Sequence, residues 1–316
     1  MKPTTRRSFV KKTAIASASI PFLTPSVNVW GFNSSTESLS VHLFSKHLQF
    51  LDYKAVGQKT AEIGFAGVDL TVRPGGHVLP EFVKRDLPIA IEEIKKGGST
   101  CIMMATGIIS VENQVDVDVL KTASKVGIKY YRSNWYKYPK TGSIEEYLKK
   151  CQKNVTELSY LNKELNIVGC YQNHSGKYVG SSIWEVKEML KLADKNYYGA
   201  QYDISHAVVD GGQNWEIGIR LIKENIKTIV LKDHKWQKVN GVWKDVDTPI
   251  GEGMVDFDKY FKLLKKYDIN VPVSLHLEYP IGGVDYDKLP KAAQENLVYK
   301  ALKKDLNTIQ EFWREA

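Results

Sequence analysis

The feature that most constrains this chain is an alternation, repeated eight times from residue 39 onwards, of short β-branched apolar runs and longer segments of helical period. This pattern is typical of successive β/α units, which form a parallel sheet. Eight units suit a closed (β/α)₈ barrel in a single α/β domain. The alternative, an open doubly wound sheet, is disfavoured because no glycine-rich phosphate loop opens a helix. The predicted strands are Ser40–Ser45, Gly67–Val72, Thr100–Thr106, Lys129–Trp135, Ile167–Asn173, Ala200–Ile204, Thr228–Asp233 and Val271–Glu278.

Residues that start and stop helices support this segmentation. Pro80 stands near the start of the second helix and Gly97-Gly98 near its end, and Ser143 is placed to cap the fourth. After the seventh strand, residues 236–253 form an insertion that contains Asn240-Gly241, a dipeptide typical of tight hairpin turns. We therefore predict a small hairpin that overhangs the mouth of the barrel.

The first 36 residues differ in composition from the barrel, which we predict to span residues 37–316. Arg6-Arg7 followed by Phe9 and a mildly apolar stretch over residues 14–23 is typical of a twin-arginine export signal. The alternative is a disordered basic tail. The apolar stretch is too short to cross a bilayer, and no later segment comes closer. We expect an exported, periplasmic protein with no transmembrane segment.

Charge and cysteine content exclude further classes of function. The formal net charge of +8 falls to +3 without the five lysines and arginines of the first 12 residues, which argues against a nucleic-acid partner. Cys101, Cys151 and Cys170 are far apart and form no C-x-x-C pair. We interpret them as buried apolar residues, because their spacing suggests neither a disulfide framework nor a thiolate zinc site.

Polar residues collect where the predicted strands end, and in a barrel this is the face that carries the active site. Since strand side chains alternate between faces, Ser274, His276 and Glu278 point into the lumen of the barrel. The same parity directs Gln172, His174 and Asp203 to the lumen, and His206 follows three residues after Asp203. Buried carboxylates need a cation or hydrogen-bond donors. We therefore predict a metal, a paired cation or a proton-transfer site; the alternative is a satisfied structural network.

A second group of candidates consists of charged and imidazole side chains at the ends of other strands or in the loops that follow them. Their alternatives are ion pairs at the barrel rim and an exposed loop histidine. On the seventh strand Lys232 shares a face with His234. The predicted substrate-binding residues are Lys46, Asp69, Arg73, His77, Arg132 and His234.

These residues resemble the xylose-isomerase-like superfamily of sugar epimerases and isomerases, which includes D-tagatose 3-epimerases, inosose dehydratases and, more distantly, apurinic endonucleases. The resemblance covers about residues 39–315. It is carried by Tyr171-Gln172-Asn173-His174-Ser175-Gly176, Asp203-x-x-His206, Leu231-Lys232-Asp233, Gly251-Glu252-Gly253 followed by Val255-Asp256-Phe257, and Glu278.

The resemblance implies a divalent ion held by a glutamate, an aspartate, a histidine and a second glutamate. Asp203 and Glu278 match two of these ligands, but Gln172 stands at the position of the first glutamate and Val230 at that of the histidine. A rearranged site for manganese, magnesium or zinc would draw on Asp203, Glu278, His206, His174 and Gln172.

The implied chemistry is abstraction of a proton next to a carbonyl group in a small carbohydrate, leading to isomerisation, epimerisation or loss of water. We assign Glu278 as the base and Lys232 as a catalytic cation. The alternatives are a sugar dehydratase or lyase and a non-catalytic sugar-binding barrel that has lost its metal. A nuclease is disfavoured because it needs many more metal ligands. A homo-oligomer is compatible with the sequence.

Overall fold

In a computed structural model the chain is described over residues 38–281 and 288–316, and the predicted export signal lies outside these residues. Within them, eight parallel strands form a closed barrel, which confirms the predicted fold. Each strand overlaps its predicted range. The barrel strands are β1 (Val41–Phe44), β2 (Gly67–Val72), β3 (Cys101–Thr106), β4 (Tyr130–Arg132), β5 (Val168–Gln172), β6 (Tyr198–Asp203), β7 (Ile226–Leu231) and β10 (Val273–Leu275).

Closure of the barrel depends on β1, which pairs in parallel with β2 on one side and with β10 on the other. The register places Val41 beside Val273. Helices surround the sheet and cover its outer face. They are α1 (Tyr53–Ile63), α2 (Val83–Lys96), α3 (Gln114–Lys125), α4 (Ile144–Leu165), α5 (Ile183–Met189), α6 (Ile204–Gly211), α7 (Trp215–Ile222), α8 (Phe257–Lys266) and α9 (Lys291–Glu315).

Local sequence signals account for the helix boundaries. The Ser143 hydroxyl accepts a hydrogen bond from the backbone N–H of Glu146 at 3.2 Å, as a helix N-cap does. Asp52 caps α1 in the same way by accepting from Ala55, and α1 ends at Gly64 with a left-handed φ of 100°. The predicted end of α2 at Gly97 is also confirmed.

The predicted insertion forms an antiparallel hairpin of β8 (Asp233–Val239) and β9 (Val242–Thr248). Asn240 and Gly241 make its turn with φ angles of 52° and 81°, the left-handed conformation that a two-residue hairpin of this kind requires. The hairpin begins before residue 236, because the chain continues in an extended conformation almost directly from β7.

Asp233 anchors the segment that follows this hairpin. Its buried carboxylate accepts four backbone N–H hydrogen bonds, from His234, Gly251, Gly253 and Val255, at 2.8–3.1 Å. Four donors on one carboxylate satisfy a charge that would otherwise be costly to bury. The residue therefore fixes the loop between β9 and α8.

The core lies between the barrel and its helices, and the strands are buried on both faces; all six residues of β2 are buried, for example. Cys101, Cys151 and Cys170 are buried free thiols, which confirms their interpretation. Among the described residues, no helix combines the length and apolar character that crossing a bilayer demands.

Candidate active site

A polar cavity of about 190 Å³ opens at the end of the barrel where the strands finish. One water molecule needs about 10–15 Å³ of such space, so the cavity has room for one small polar molecule. Its charged lining comprises four cationic side chains and one carboxylate. The cavity is lined by Phe44, Lys46, Arg73, Arg132, Trp135, Gln172, His174, His206, Lys232, His276 and Glu278.

Lys232 and Glu278 form an ion pair in this cavity. The Lys232 ammonium, on a residue that is 5% exposed, donates a hydrogen bond to Glu278 Oε2 at 3.0 Å. Lys46 lies 3.4 Å from the other carboxylate oxygen. Burial alone would raise the pKa of Glu278, but the positive charges of Lys232 and Lys46 hold that pKa below its usual range. Glu278 is therefore a carboxylate at neutral pH.

Lys232 also remains charged. Burial opposes its positive charge, but the carboxylates of Asp203, Glu278 and Asp247 raise the pKa of Lys232 above its ordinary value. An ammonium group has three N–H donors, and the described contacts use one of them for Glu278. The cavity thus contains a buried cation with donors available to a bound molecule.

Asp203 lies beneath the cavity and is fully buried. Its Oδ1 accepts the backbone N–H of His206 at 3.1 Å and so caps α6, while its Oδ2 accepts the Gln172 side-chain amide at 2.8 Å. Burial raises the pKa of Asp203 to about 6, although Lys232 and these hydrogen bonds act in the opposite direction. The carboxylate is occupied by donors rather than turned to the cavity.

Two histidines stack at one side of the cavity. The rings of His174 and His206 have centroids 4.0 Å apart. His174 Nδ1 lies 2.9 Å from the carbonyl oxygen of Ser175, so Nδ1 carries the proton and Nε2 has a free lone pair. Burial lowers the pKa of both imidazoles, which keeps them neutral. His174 can therefore accept a proton at Nε2.

Two arginines line another part of the cavity. Arg132, at the end of β4, is 3% exposed, and its guanidinium lies over the Trp135 ring at 4.3 Å. Arg73, just beyond β2, lies over Phe44 at 5.6 Å. Burial and the neighbouring Arg73 charge lower the pKa of Arg132 to about 10, which still leaves it charged at neutral pH.

Most of the site residues predicted from the sequence come together in this cavity. Lys46, Arg73, Arg132, Gln172, His174, His206, Lys232 and Glu278 line it. Asp203 lies below it, and Asp69 is buried within the barrel, where it accepts the Ser274 hydroxyl at 2.6 Å. Burial raises the pKa of Asp69 to about 6.

Two further predicted residues, His77 and His234, lie away from the cavity. His77 folds back on its own loop, where its ring nitrogens lie within 3.3 Å of the Thr71 hydroxyl and the Leu48 carbonyl oxygen. His234 lies at the start of β8, and its Nδ1 is 2.9 Å from the Ser205 hydroxyl. Both imidazoles therefore have structural partners away from the cavity.

Three lining residues were not among the predicted site residues. His276 stacks on Phe44 with ring centroids 4.2 Å apart, and Trp135 packs edge-on against His174 at 4.5 Å. Strand parity already directed His276 to the lumen. Phe44 and Trp135 stand near strand ends, where they could stack on a sugar ring, but large aromatics in a barrel most often pack against helices, so they were not counted among the site residues.

The side chains present fit the predicted divalent ion only in part. The hydrogen bonds to Asp203 and Glu278 come from the Gln172 amide, the backbone of His206 and the Lys232 ammonium. The Gln172 carbonyl oxygen and the His206 ring nitrogens are buried beside them without a hydrogen-bond partner in the described part of the chain. Val230 brings an apolar side chain to the position of the expected histidine. No group of three or more His, Cys, Asp or Glu side chains within residues 38–281 and 288–316 converges as metal ligands do. Lys232 places a positive charge 3.0 Å from Glu278.

Comparison with known proteins agrees with this fold. The inosose dehydratase of Clostridium perfringens is 28% identical over 131 residues, which are 38% of this chain and 43% of that protein. The match thus spans less than half of this relative. The solved D-psicose 3-epimerase from Clostridium cellulolyticum H10 has a TM-score of 0.68 at 15% identity and covers 87% of this chain and 99% of its own.

A xylose isomerase-like TIM barrel protein from Mycobacterium smegmatis, solved in complex with magnesium, has a TM-score of 0.65 at 10% identity over 88% of this chain and 99% of that one. At such identities these solved structures show the fold. The model of the family described as "Xylose isomerase-like TIM barrel" matches residues 58–302, which is more than half of the chain. The chain therefore belongs to the xylose isomerase-like TIM barrel family.

Proposed function

We propose that this chain is an enzyme that removes a proton from the carbon next to a carbonyl group of a small carbohydrate, and so isomerises, epimerises or dehydrates it. The observation that carries this proposal is the Lys232–Glu278 pair, a carboxylate 3.0 Å from a buried ammonium in a cavity of about 190 Å³. An inosose dehydratase and a D-psicose 3-epimerase among the similar proteins support a carbohydrate substrate.

The chemistry requires a base and a group that holds negative charge. When a proton leaves the carbon, the charge develops on the carbonyl oxygen, and a fixed cation in a site shielded from water stabilises it. Glu278 is the carboxylate that accepts the proton. Lys232 lies beside Glu278, has N–H donors that are free to bind the substrate, and stabilises the carbonyl oxygen.

The low pKa of Glu278 in the free cavity makes it a weak base, and substrate binding changes this balance. A carbonyl oxygen bound to Lys232 competes with Glu278 for the ammonium. As charge develops on that oxygen, the attraction that lowers the pKa of Glu278 is redirected to the substrate. Proton transfer to Glu278 and charge stabilisation by Lys232 therefore occur together.

His174 provides a second proton-transfer group. Its Nε2 lone pair is free because Nδ1 faces the Ser175 carbonyl, and the imidazole is neutral. Gln172 cannot accept a proton, so a pair of glutamates is not available as in the implied epimerase mechanism. The proton that Glu278 takes from carbon can instead be returned to a second carbon or to a departing hydroxyl, while His174 Nε2 can accept a proton from a substrate hydroxyl.

The test is deuterium exchange. We would incubate the full-length protein in D₂O with a panel of ketoses, keto-sugars and uronates and follow the protons next to each carbonyl by NMR. The proposal predicts exchange into at least one substrate, and the product then identifies isomerisation, epimerisation or dehydration. Absence of exchange across a panel that includes sugars shown to bind would overturn the proposal.

A second candidate is a non-catalytic sugar-binding barrel. Two ammonium groups lie 3.0 and 3.4 Å from the Glu278 carboxylate, and this favours the second candidate. A carboxylate held in this way can bind hydroxyl groups or cations without accepting a proton. The same experiment separates the candidates, because this one predicts binding without exchange.

Export and assembly remain predictions from the sequence. We infer a periplasmic protein directed by Arg6-Arg7, and cell fractionation after replacement of both arginines by lysine tests this. If the lysine variant is exported as efficiently as the wild-type protein, the prediction of a twin-arginine signal is wrong. Light scattering on the purified chain measures the oligomeric state.

A further inference from the structure

We propose that Arg73 and Arg132 form an anion-binding subsite, so that the bound carbohydrate carries a carboxylate or phosphate group. The assignment of the ligand as a carbohydrate rests on the proposed function. The subsite itself rests on the contacts, burial and charges of the cavity.

Arg132 is the strongest reason for this subsite. Its Nε and Nη1 atoms are buried and have no hydrogen-bond partner among the described residues, although the side chain lines the cavity. Buried donors on a charged group are costly to leave unsatisfied. Trp135 contacts the face of the guanidinium, which leaves its N–H edge for a ligand.

Arg73 adds a second guanidinium to the same cavity. Among the described residues, neither arginine forms an ion pair with an acidic side chain. The positive charges of the two arginines repel one another. Arg73 instead lies over the Phe44 ring at 5.6 Å. Two adjacent guanidinium groups without acidic partners fit an oxyanion, which each can bind with two parallel hydrogen bonds.

The acids nearby do not form a direct ion pair with either arginine. Asp69 interacts with both arginines at longer range, but its Oδ2 is bonded to Ser274 and its side chain is buried within the barrel. Glu278 is engaged by Lys46 and Lys232. The lining has four cations and one carboxylate, and the carboxylates of Asp69, Asp203 and Asp247 act on these cations from farther away. The two guanidinium groups therefore keep N–H donors for an anionic ligand.

The test measures binding and needs no turnover. Calorimetric titrations of the full-length protein would compare D-glucuronate and D-galacturonate with D-glucose and D-galactose, and inorganic phosphate with chloride. We expect an anionic probe to bind at least tenfold more tightly than its neutral counterpart. We also expect Arg132→Gln and Arg73→Gln each to weaken that binding tenfold or more.

Matched variants keep the result interpretable. Arg85→Gln changes an exposed arginine on α2, outside the cavity, and should leave binding unchanged. Arg132→Lys keeps the charge but loses the planar fork, so it should bind anions with intermediate affinity. Thermal melts identify any variant that fails to fold, in which case the lysine variant and Arg73→Gln still decide the outcome.

Tighter binding of uronates than of phosphate would assign a carboxylate, and the reverse would assign a phosphorylated sugar. Equal binding of charged and neutral probes, or no loss in the two glutamine variants, would overturn the subsite. Failure of the proposed function looks different: anions would bind through the arginines while no deuterium exchange occurs. Exchange of neutral sugars without anion binding would leave the function and remove the subsite.

Discussion

Replacing Lys232 with methionine removes the ammonium that lies 3.0 Å from Glu278 and keeps an unbranched apolar stem inside the barrel. A single donor to a developing oxyanion in a water-shielded site contributes about 2.7–4 kcal/mol to the transition state. We therefore expect Lys232→Met to slow deuterium exchange by about 10²–10³-fold, through kcat more than through KM, because the interaction strengthens as charge develops.

The stability of this variant should change much less than its activity. Removing one partner of a fully buried pair costs about 3–5 kcal/mol. The Glu278 side chain is 26% exposed and keeps Lys46 at 3.4 Å, and methionine no longer requires a buried charge. We expect the free energy of unfolding to fall by no more than about 2 kcal/mol, as measured by urea denaturation.

The control is Lys235→Met, which makes the same change at an exposed position of β8 that lies outside the cavity. It should leave the exchange rate of the wild-type protein unchanged. An exchange rate for Lys232→Met within threefold of wild type would refute the role of Lys232, whatever its stability.

Three further predictions follow from buried carboxylates and from the donor set. Burial raises the pKa of Asp69 from 3.8 to about 6, so ionising its carboxyl group costs the folded state about 3 kcal/mol. The free energy of unfolding should therefore fall by about this amount as the pH rises from about 4 to 6. Asp69→Asn should therefore gain stability relative to wild type at pH 8 but not at pH 4 in urea unfolding; a gain of equal size at both would contradict it. Asp233→Asn turns an amide group toward four backbone N–H donors and should lower the free energy of unfolding by about 3 kcal/mol, while Asp245→Asn on the same hairpin should change little. Treatment with EDTA should leave deuterium exchange intact, because Lys232 supplies the positive charge. The prediction would be contradicted if EDTA abolished exchange and a divalent ion, found in stoichiometric amount by elemental analysis, restored it.

The barrel could be predicted from the sequence because its strands are buried on both faces and stand out as β-branched runs between helical segments. The strand ends were less certain. β7 was predicted over Thr228–Asp233 but spans Ile226–Leu231, since Asp233 already pairs with Thr248 in the hairpin. Apolar content does not reveal where a chain leaves the barrel.

Strand parity also predicted much of the cavity, and its failures have physical reasons. His234 lies beyond the end of β7, where the chain has joined the hairpin and alternation no longer refers to the lumen. His77 lies in a loop, whose direction depends on contacts such as that with the Leu48 carbonyl. Asp203 is drawn beneath the cavity because it caps α6, a competing role that the sequence pattern does not distinguish from ligand binding.

The metal prediction shows the limit of resemblance. Gln172 and Val230 were recognised as departures, but their consequence depends on how the neighbouring side chains rearrange. In the structure, the side-chain amide of Gln172 donates a hydrogen bond to Asp203, and the ammonium group of Lys232 lies beside Glu278. These contacts depend on packing in three dimensions, which a resemblance in sequence does not reveal.

The central claim is that Glu278 takes a proton from carbon in this cavity. The most direct measurement compares deuterium exchange by the wild-type protein and by Glu278→Gln at saturating concentration of an exchanging sugar, with binding checked by calorimetry. Glutamine keeps the shape of the side chain but cannot accept the proton, so the account predicts a loss of at least about 10²-fold in exchange with binding retained. Exchange by Glu278→Gln at the wild-type rate would contradict the account.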